Sequence, residues 1–80
     1  MTKTLSDLEL GATARVIGYR DDSAYSARLL RLGLIPGTRL KLQRVAPLGD
    51  PLEIRCRGYS LALRPAEASC LLLVEEEQSP

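Results

Sequence analysis

Residues 24–37, AYSARLLRLGLIPG, predict one short helix that stops abruptly and is followed at once by a turn. The leucines of this stretch recur at roughly helical spacing, which gives the segment an apolar face. Gly33 stands where a helix needs a left-handed residue after its last turn, and no helix could continue through Pro36. Pro36 and Gly37 supply the turn that leads into a strand. The helix is therefore predicted over about 23–33.

Alternating apolar and polar residues predict short strands before and after this helix. Glycine and proline separate the strands: Pro47, Gly49 and Pro51 belong to one turn, and Gly58 makes a tight reversal. The predicted strands are residues 12–18, 38–44, 52–57, 60–64 and 70–75.

Two segments outside these strands predict short helical turns. Residues 4–11 form an entry segment in which Ser6 can cap the turn and the leucines, Leu10 among them, can face the core. Residues 65–68 form a second turn, which begins with a proline at its first position.

Five short strands with frequent turn signals fit a closed all-β architecture, because closure removes exposed strand edges. The predicted fold is mainly β, a small SH3-like barrel of about five strands with one inserted helix and a short N-terminal helical turn. Eighty residues allow a single domain, residues 1–80. Its core is expected over about 4–75, and residues 76–80 are expected to be a frayed tail.

The charge is unevenly distributed although the net charge is only +1. Residues 23–64 carry eight basic and two acidic side chains, whereas residues 65–80 carry four acidic side chains and no basic one. One interpretation is a set of solvated strand faces followed by an acidic tail. The other is a one-sided basic face that meets an acidic partner.

The residue types do not predict catalysis, a cofactor or a metal site. The sequence has no histidine, so it lacks the commonest acid–base group and the imidazole of many iron sites. Cys56 and Cys70 are separated by 13 residues without a CxxC arrangement, which predicts two reduced, buried thiols. The acidic residues 75–77 are interpreted as a solvated end. We expect a protein that is not an enzyme.

The helix and its exit loop contain a candidate docking patch. Arg28 and Arg31 are three residues apart and share a helix face. Leu34 and Ile35 follow in the exit loop, where at least one of them can be exposed. An apolar group rimmed by arginines suits a protein interface. The alternative is that Leu34 is buried under the helix and the arginines only solvate it.

Four motifs follow one another along the chain. They are Leu5-x-x-Leu8-x-x-Gly11, Arg28-Leu29-x-x-Leu32-Gly33-Leu34-x-Pro36-Gly37, Ala46-Pro47-Leu48-Gly49-Asp50-Pro51 and Gly58-x-x-Leu61-Ala62-Leu63-Arg64. In this order they resemble the FeoA family, and the resemblance runs from about residue 5 to residue 74. The second and third motifs are specific together because of their separation.

The resemblance implies an SH3-like barrel with an inserted helix and an accessory role in bacterial ferrous iron uptake. It also implies binding to the cytoplasmic GTP-binding domain of the iron permease FeoB. The sequence shows neither a secretory signal nor an apolar run of about 20 residues. A cytoplasmic location is therefore expected, with contact to the inner membrane only through the partner.

Two other functions stay open at this point. The basic middle segment suits a nucleic-acid-binding or metal-regulator-type accessory domain, although three tyrosines provide little stacking surface, which disfavours nucleic acid. Self-association is the second alternative, since the apolar final strand could pair edge to edge with another copy.

Overall fold

A computed structural model describes residues 1–76 of the chain. Six strands, two α-helices and one 3₁₀ turn follow one another along this part of the sequence. They are β1 (Thr2–Lys3), the 3₁₀ turn (Leu5–Asp7), β2 (Thr13–Tyr19), α1 (Ala24–Arg31), β3 (Arg39–Val45), β4 (Leu52–Cys56), β5 (Tyr59–Leu63), α2 (Pro65–Ala68) and β6 (Leu71–Glu76).

The strands form one antiparallel sheet in the order β1-β6-β2-β3-β4-β5. Shifts in register interrupt β2 against β6 and β3 against β4. Such bulges bend strands and increase their twist, which curls the sheet toward a barrel. Within residues 1–76 no strand pairing joins β5 to β1, so the curled sheet remains open. The prediction of a mainly-β fold is confirmed, with six strands instead of five.

The concave face of the sheet carries a core built from leucine and other aliphatic side chains. Alternate residues of each strand point inward, as Leu52, Ile54 and Cys56 do in β4. Cys56 and Cys70 are both buried free thiols, as the sequence predicted. The largest side chains with almost no exposed surface are Leu5, Val16, Leu29, Leu34, Leu40, Leu42, Ile54, Leu63, Leu71 and Leu73.

The predicted central helix is confirmed as α1, which is shorter than the interval 23–33. The Ser23 side chain accepts a hydrogen bond from the Ser26 N–H at 3.2 Å and thereby caps the first turn. At the other end Gly33 has φ +100, and the Leu34 N–H donates back to the Leu29 carbonyl at 3.1 Å. This left-handed residue ends the helix and turns the chain back under it.

The N-terminal segment differs from its prediction in two respects. Thr4, and not Ser6, is the capping residue, because its N–H donates to the Asp7 carboxylate at 2.9 Å. Leu10 is 66% exposed and does not enter the core. The 3₁₀ turn has only three residues, so helical spacing does not extend as far as Leu10.

The position of the C-terminal strand corrects one interpretation and adds ion pairs to another. β6 lies between β1 and β2, so it is not an edge and cannot pair with another copy as proposed. Glu75 pairs with Lys3 at 2.7 Å, and Glu76 lies 3.2 Å from the Arg39 guanidinium and 3.9 Å from that of Arg15. These two carboxylates therefore bridge strands, with the Glu75 side chain 42% and the Glu76 side chain 24% exposed. The remainder of the predicted tail, residues 77–80, lies outside the described residues.

The end of α1 gives a prediction about stability. A Cβ built at Gly33 would lie 2.7 Å from the Tyr59 hydroxyl, which itself donates to the Leu32 carbonyl. Gly37 has nearly the same φ, +96, but no atom within 4 Å of its Cβ position. Gly37→Ala should lower the free energy of unfolding by about 1–2 kcal/mol through backbone strain alone. Gly33→Ala should cost about 1 kcal/mol more, because the tyrosine hydrogen bond is lost as well.

Urea unfolding of both variants, alone and combined with Tyr59→Phe, separates these two contributions. The excess cost of Gly33→Ala should shrink in the Tyr59→Phe background, where no hydroxyl stands in the way. Equal costs for the two glycine substitutions in the unaltered background would contradict the steric part of the prediction.

Candidate docking site

An open groove of about 510 Å³ lies between the loop that follows α1 and the turn that joins β4 to β5. We call it the loop–hairpin groove. It combines an exposed aliphatic side chain, a proline and glycine turn, and two arginines. Its lining residues are Ile35, Pro36, Gly37, Thr38, Arg39 and Arg57.

Hydrogen bonds to the backbone hold the loop side of the groove in place. The Tyr19 hydroxyl donates to the Leu34 carbonyl at 2.7 Å, and the Tyr59 hydroxyl donates to the Leu32 carbonyl. The Gly37 N–H donates to a β2 carbonyl at 2.7 Å. Because these bonds anchor the backbone of the loop to β2 and β5, the loop presents a fixed surface.

The two apolar residues of the predicted patch point in opposite directions. Leu34 is fully buried, with 0% of its surface exposed, so it cannot contact a partner. The left-handed Gly33 folds the next residue back under α1, which buries Leu34 in the core. Ile35 is 44% exposed and lines the groove. The interpretation in which Leu34 lies under the helix is thus correct for that residue.

The two helix arginines also differ in their surroundings. The Arg28 guanidinium forms an ion pair with the Glu67 carboxylate, which ties α1 to α2. Arg28 therefore makes an internal contact, while 58% of its side chain stays exposed, so its place on the docking face stays a prediction. Arg31 is exposed in the last turn of α1 and forms no ion pair within residues 1–76.

Arg39 and Arg57 belong to the groove although sequence reasoning did not select them. Arg39 is also the partner of Glu76 across the sheet, whereas Arg57 forms no ion pair within the described part of the chain. Arg57 has φ +50 and Gly58 has φ +85, so both central residues of this two-residue hairpin turn are left-handed. Such turns strongly favour Asn-Gly. The arginine at the first position of this turn departs from that preference, and the departure is visible in the sequence.

The buried thiols do not add a reactive group to this surface. Burial raises the pKa of Cys56 and that of Cys70, which keeps both thiols protonated at neutral pH. Among residues 1–76, no three or more His, Cys, Asp or Glu side chains are grouped so that they could hold a metal ion. The longest helix in the same residues has eight residues, too few to cross a membrane.

A model of the FeoA domain matches residues 3–75 of the chain. The chain belongs to the FeoA family. A curated relative from Porphyromonas gingivalis, the Fe(2+) transport protein A/Fe(2+) transporter FeoB fusion protein, is 29% identical over 65 residues. This match covers 81% of the present chain but only 8% of the relative, so the chain spans a small part of that protein's length.

Solved structures of other family members share the fold of this FeoA-family chain. The FeoA-like protein from Clostridium acetobutylicum is 32% identical with a TM-score of 0.89, covering 99% of this chain and 92% of the other. The zinc complex of Stenotrophomonas maltophilia FeoA, described as a procaryotic SH3 domain protein, is 28% identical with a TM-score of 0.81. That match covers 96% and 99% of the two chains. The SH3-like prediction is confirmed.

The turn at the groove leads to a test of backbone strain. Arg57→Asn should raise the free energy of unfolding by about 0.5–1 kcal/mol, because asparagine adopts a left-handed conformation more readily than arginine. Arg55→Asn is the matched control, since it removes the same charge from an extended position of β4 and should be destabilising. Urea denaturation measures both. Destabilisation by Arg57→Asn would show that the arginine side chain contributes more than the strain costs.

We predict that the folded protein loses stability at alkaline pH because of the ionisation of Tyr19. Burial raises the pKa of Tyr19 to about 12, whereas an unfolded tyrosine ionises near pH 10. Between these values the unfolded chain has lost a proton that the folded chain keeps, so the free energy of unfolding falls as pH rises. Tyr19→Phe should be less stable than the unaltered protein at pH 8, by about 1 kcal/mol for the lost hydrogen bond.

The measurement is the urea midpoint of both proteins from pH 8 to 12. The stability difference between them should narrow above pH 10, because only the unaltered protein contains the group that ionises. A difference that stays constant across the whole range would contradict the raised pKa of Tyr19.

Proposed function

We propose that this FeoA-family chain is a non-enzymatic, cytoplasmic accessory protein of ferrous iron uptake that docks on the GTP-binding domain of a FeoB-type permease. The fusion of an Fe(2+) transport protein A segment to FeoB in the Porphyromonas gingivalis relative carries the choice of partner. In a fusion protein the two parts stay together because they share one chain. A separate accessory protein reaches the same arrangement by binding to its partner.

The loop–hairpin groove supplies a surface for this binding. Ile35 offers an exposed apolar group, and Arg39 and Arg57 line the same groove. Interface centres are enriched in arginine and apolar groups, and positive surfaces select partners with acidic ones. Arg31, exposed at the end of α1, extends the positive charge beyond the groove.

A non-enzymatic role is supported by the chemistry of the side chains. The sequence contains no histidine, and both thiols lie in the core with a raised pKa. Nucleophilic catalysis by cysteine requires an accessible thiolate, which neither cysteine provides. Docking requires only a preformed surface, and the hydrogen-bonded loop provides one.

Binding to the isolated GTP-binding domain of the cognate permease tests this proposal by titration calorimetry, with GDP and with a non-hydrolysable GTP analogue. Ile35→Asp should weaken binding at least tenfold, because it places a carboxylate in the apolar part of the groove and opposes acidic groups of the partner. Arg57→Glu should have a similar effect through charge reversal. Leu48→Asp is the control, since Leu48 is 96% exposed at the opposite end of β4 and outside the groove.

The possible outcomes distinguish an error in the assigned surface from an error in the assigned partner. Unchanged affinity of Ile35→Asp and Arg57→Glu would exclude the groove as the contact. An equal loss with Leu48→Asp would show that any surface carboxylate disturbs the complex. Absence of binding by the unaltered protein in both nucleotide states would overturn the assigned partner. Circular dichroism of each variant verifies that the fold is retained.

A further inference from the structure

The strand β5 leaves one of its sides open. It is the last strand in the sheet order, and within residues 1–76 its only strand partner is β4. Ser60 and Ala62, on the outer face of β5, are both exposed. β5 has five residues. An open strand edge of this kind is usually protected from pairing with other chains by a charged residue, a proline or a bulge. β5 contains none of these protections, and its register against β4 is regular.

The hairpin register shows which backbone groups face the open side. Cys56 and Tyr59 flank a two-residue turn, so they form a hydrogen-bonded pair. Antiparallel pairs then alternate, which makes Ser60 and Ala62 members of the non-hydrogen-bonded pairs with β4. The N–H and carbonyl groups of Ser60 and Ala62 therefore point away from the sheet. These groups provide two hydrogen-bond donors and two acceptors that can pair with another strand.

Positive charge brackets this edge. Arg57 precedes β5, Arg64 follows it, and Arg55 is the β4 neighbour of Ser60. None of these three arginines forms an ion pair within the described part of the chain. Glu53, the β4 neighbour of Ala62, accepts a hydrogen bond from the Gln43 amide at 2.6 Å. The edge is thus electrostatically suited to an acidic ligand.

We propose that the β5 edge binds an extended acidic segment of a partner protein as an added strand. Main-chain hydrogen bonds to Ser60 and Ala62 supply the attachment, and the flanking arginines select the charge. From Tyr59 to Arg64 an extended chain covers about 17 Å, which is the length of about six residues, and Arg57 lies in the turn just beyond that span. The ligand is therefore a short β-forming segment with carboxylates near both of its ends.

A second copy of the chain fits this edge less well. A two-fold antiparallel pairing of β5 centred on Leu61 would place Gly58 of one copy opposite Arg64 of the other. The Arg57 of each copy would then lie beside the Arg64 of its neighbour, at both ends of the pairing. Like charges at neighbouring cross-strand positions are destabilising, so the acidic partner is the better occupant.

The inference extends beyond the groove because it assigns the neighbouring β5 edge, which shares only Arg57 with the groove, and an extended ligand. Its test does not need the permease. The probe is a blocked synthetic peptide, EEVTVTEE, titrated into the ¹⁵N-labelled protein. The amide signals of Ser60 and Ala62 should shift the most, and their hydrogen exchange should slow. The peptide KKVTVTKK should bind at least tenfold more weakly, because its lysines face the arginines. N-methylation of the central EEVTVTEE amides should remove binding.

A pair of variants tests the main-chain contact from the protein side. Ala62→Pro removes the outward N–H at an edge position, where proline is compatible with the sheet, whereas Ala62→Val keeps it. Ala62→Pro should weaken peptide binding at least tenfold, and Ala62→Val should bind as the unaltered protein does. Each outcome below would overturn the proposal: no shift at Ser60 and Ala62 at millimolar peptide, equal binding of both peptides, or equal binding of both variants.

Discussion

The exit from α1 is the constraint on which the arrangement of this small domain depends. A left-handed Gly33 stops the helix, and hydroxyl groups from β2 and β5 hold the carbonyls that follow the last turn. Because Tyr19 and Tyr59 come from strands that are not neighbours in the sheet, the loop links two sides of the curled sheet. That link buries Leu34 and at the same time leaves Ile35 outside. One local backbone conformation therefore determines both a core contact and a surface contact.

Much of the fold was predictable because its signals are local. The cap and stop of α1 and the alternation in β3, β4 and β5 depend on residues close together in sequence. The strand Thr2–Lys3 was not predicted because two residues are too few to show an alternating pattern. These residues form a strand only because they pair with Leu73 and Val74. Leu10 was misplaced because helical spacing was extended beyond a turn that ends at Asp7.

The candidate site was less predictable because it is assembled from distant segments. The loop after α1 and the turn after β4 meet only once β5 has paired back along β4, and no short-range pattern shows that meeting. The same is true of Glu76, whose ion pairs with Arg15 and Arg39 depend on β6 lying beside β2. A charge count along the chain identified an acidic end and a basic middle, but it could not tell which of these charges neutralise one another.

The β4–β5 hairpin combines two features that a fold under selection for stability alone would tend to lose. Its turn places Arg57 in a left-handed conformation where Asn-Gly would be relaxed, and its outer strand shows small, uncharged residues where lysine or proline would protect the edge. A substitution could remove either feature, with asparagine at the turn or with lysine or proline in the outer strand. Neither substitution is present. Both features lie on the same hairpin, one at the turn that lines the groove and one along the open side of β5. Strain and open backbone concentrated in one element are typical of a surface kept for contact with another molecule.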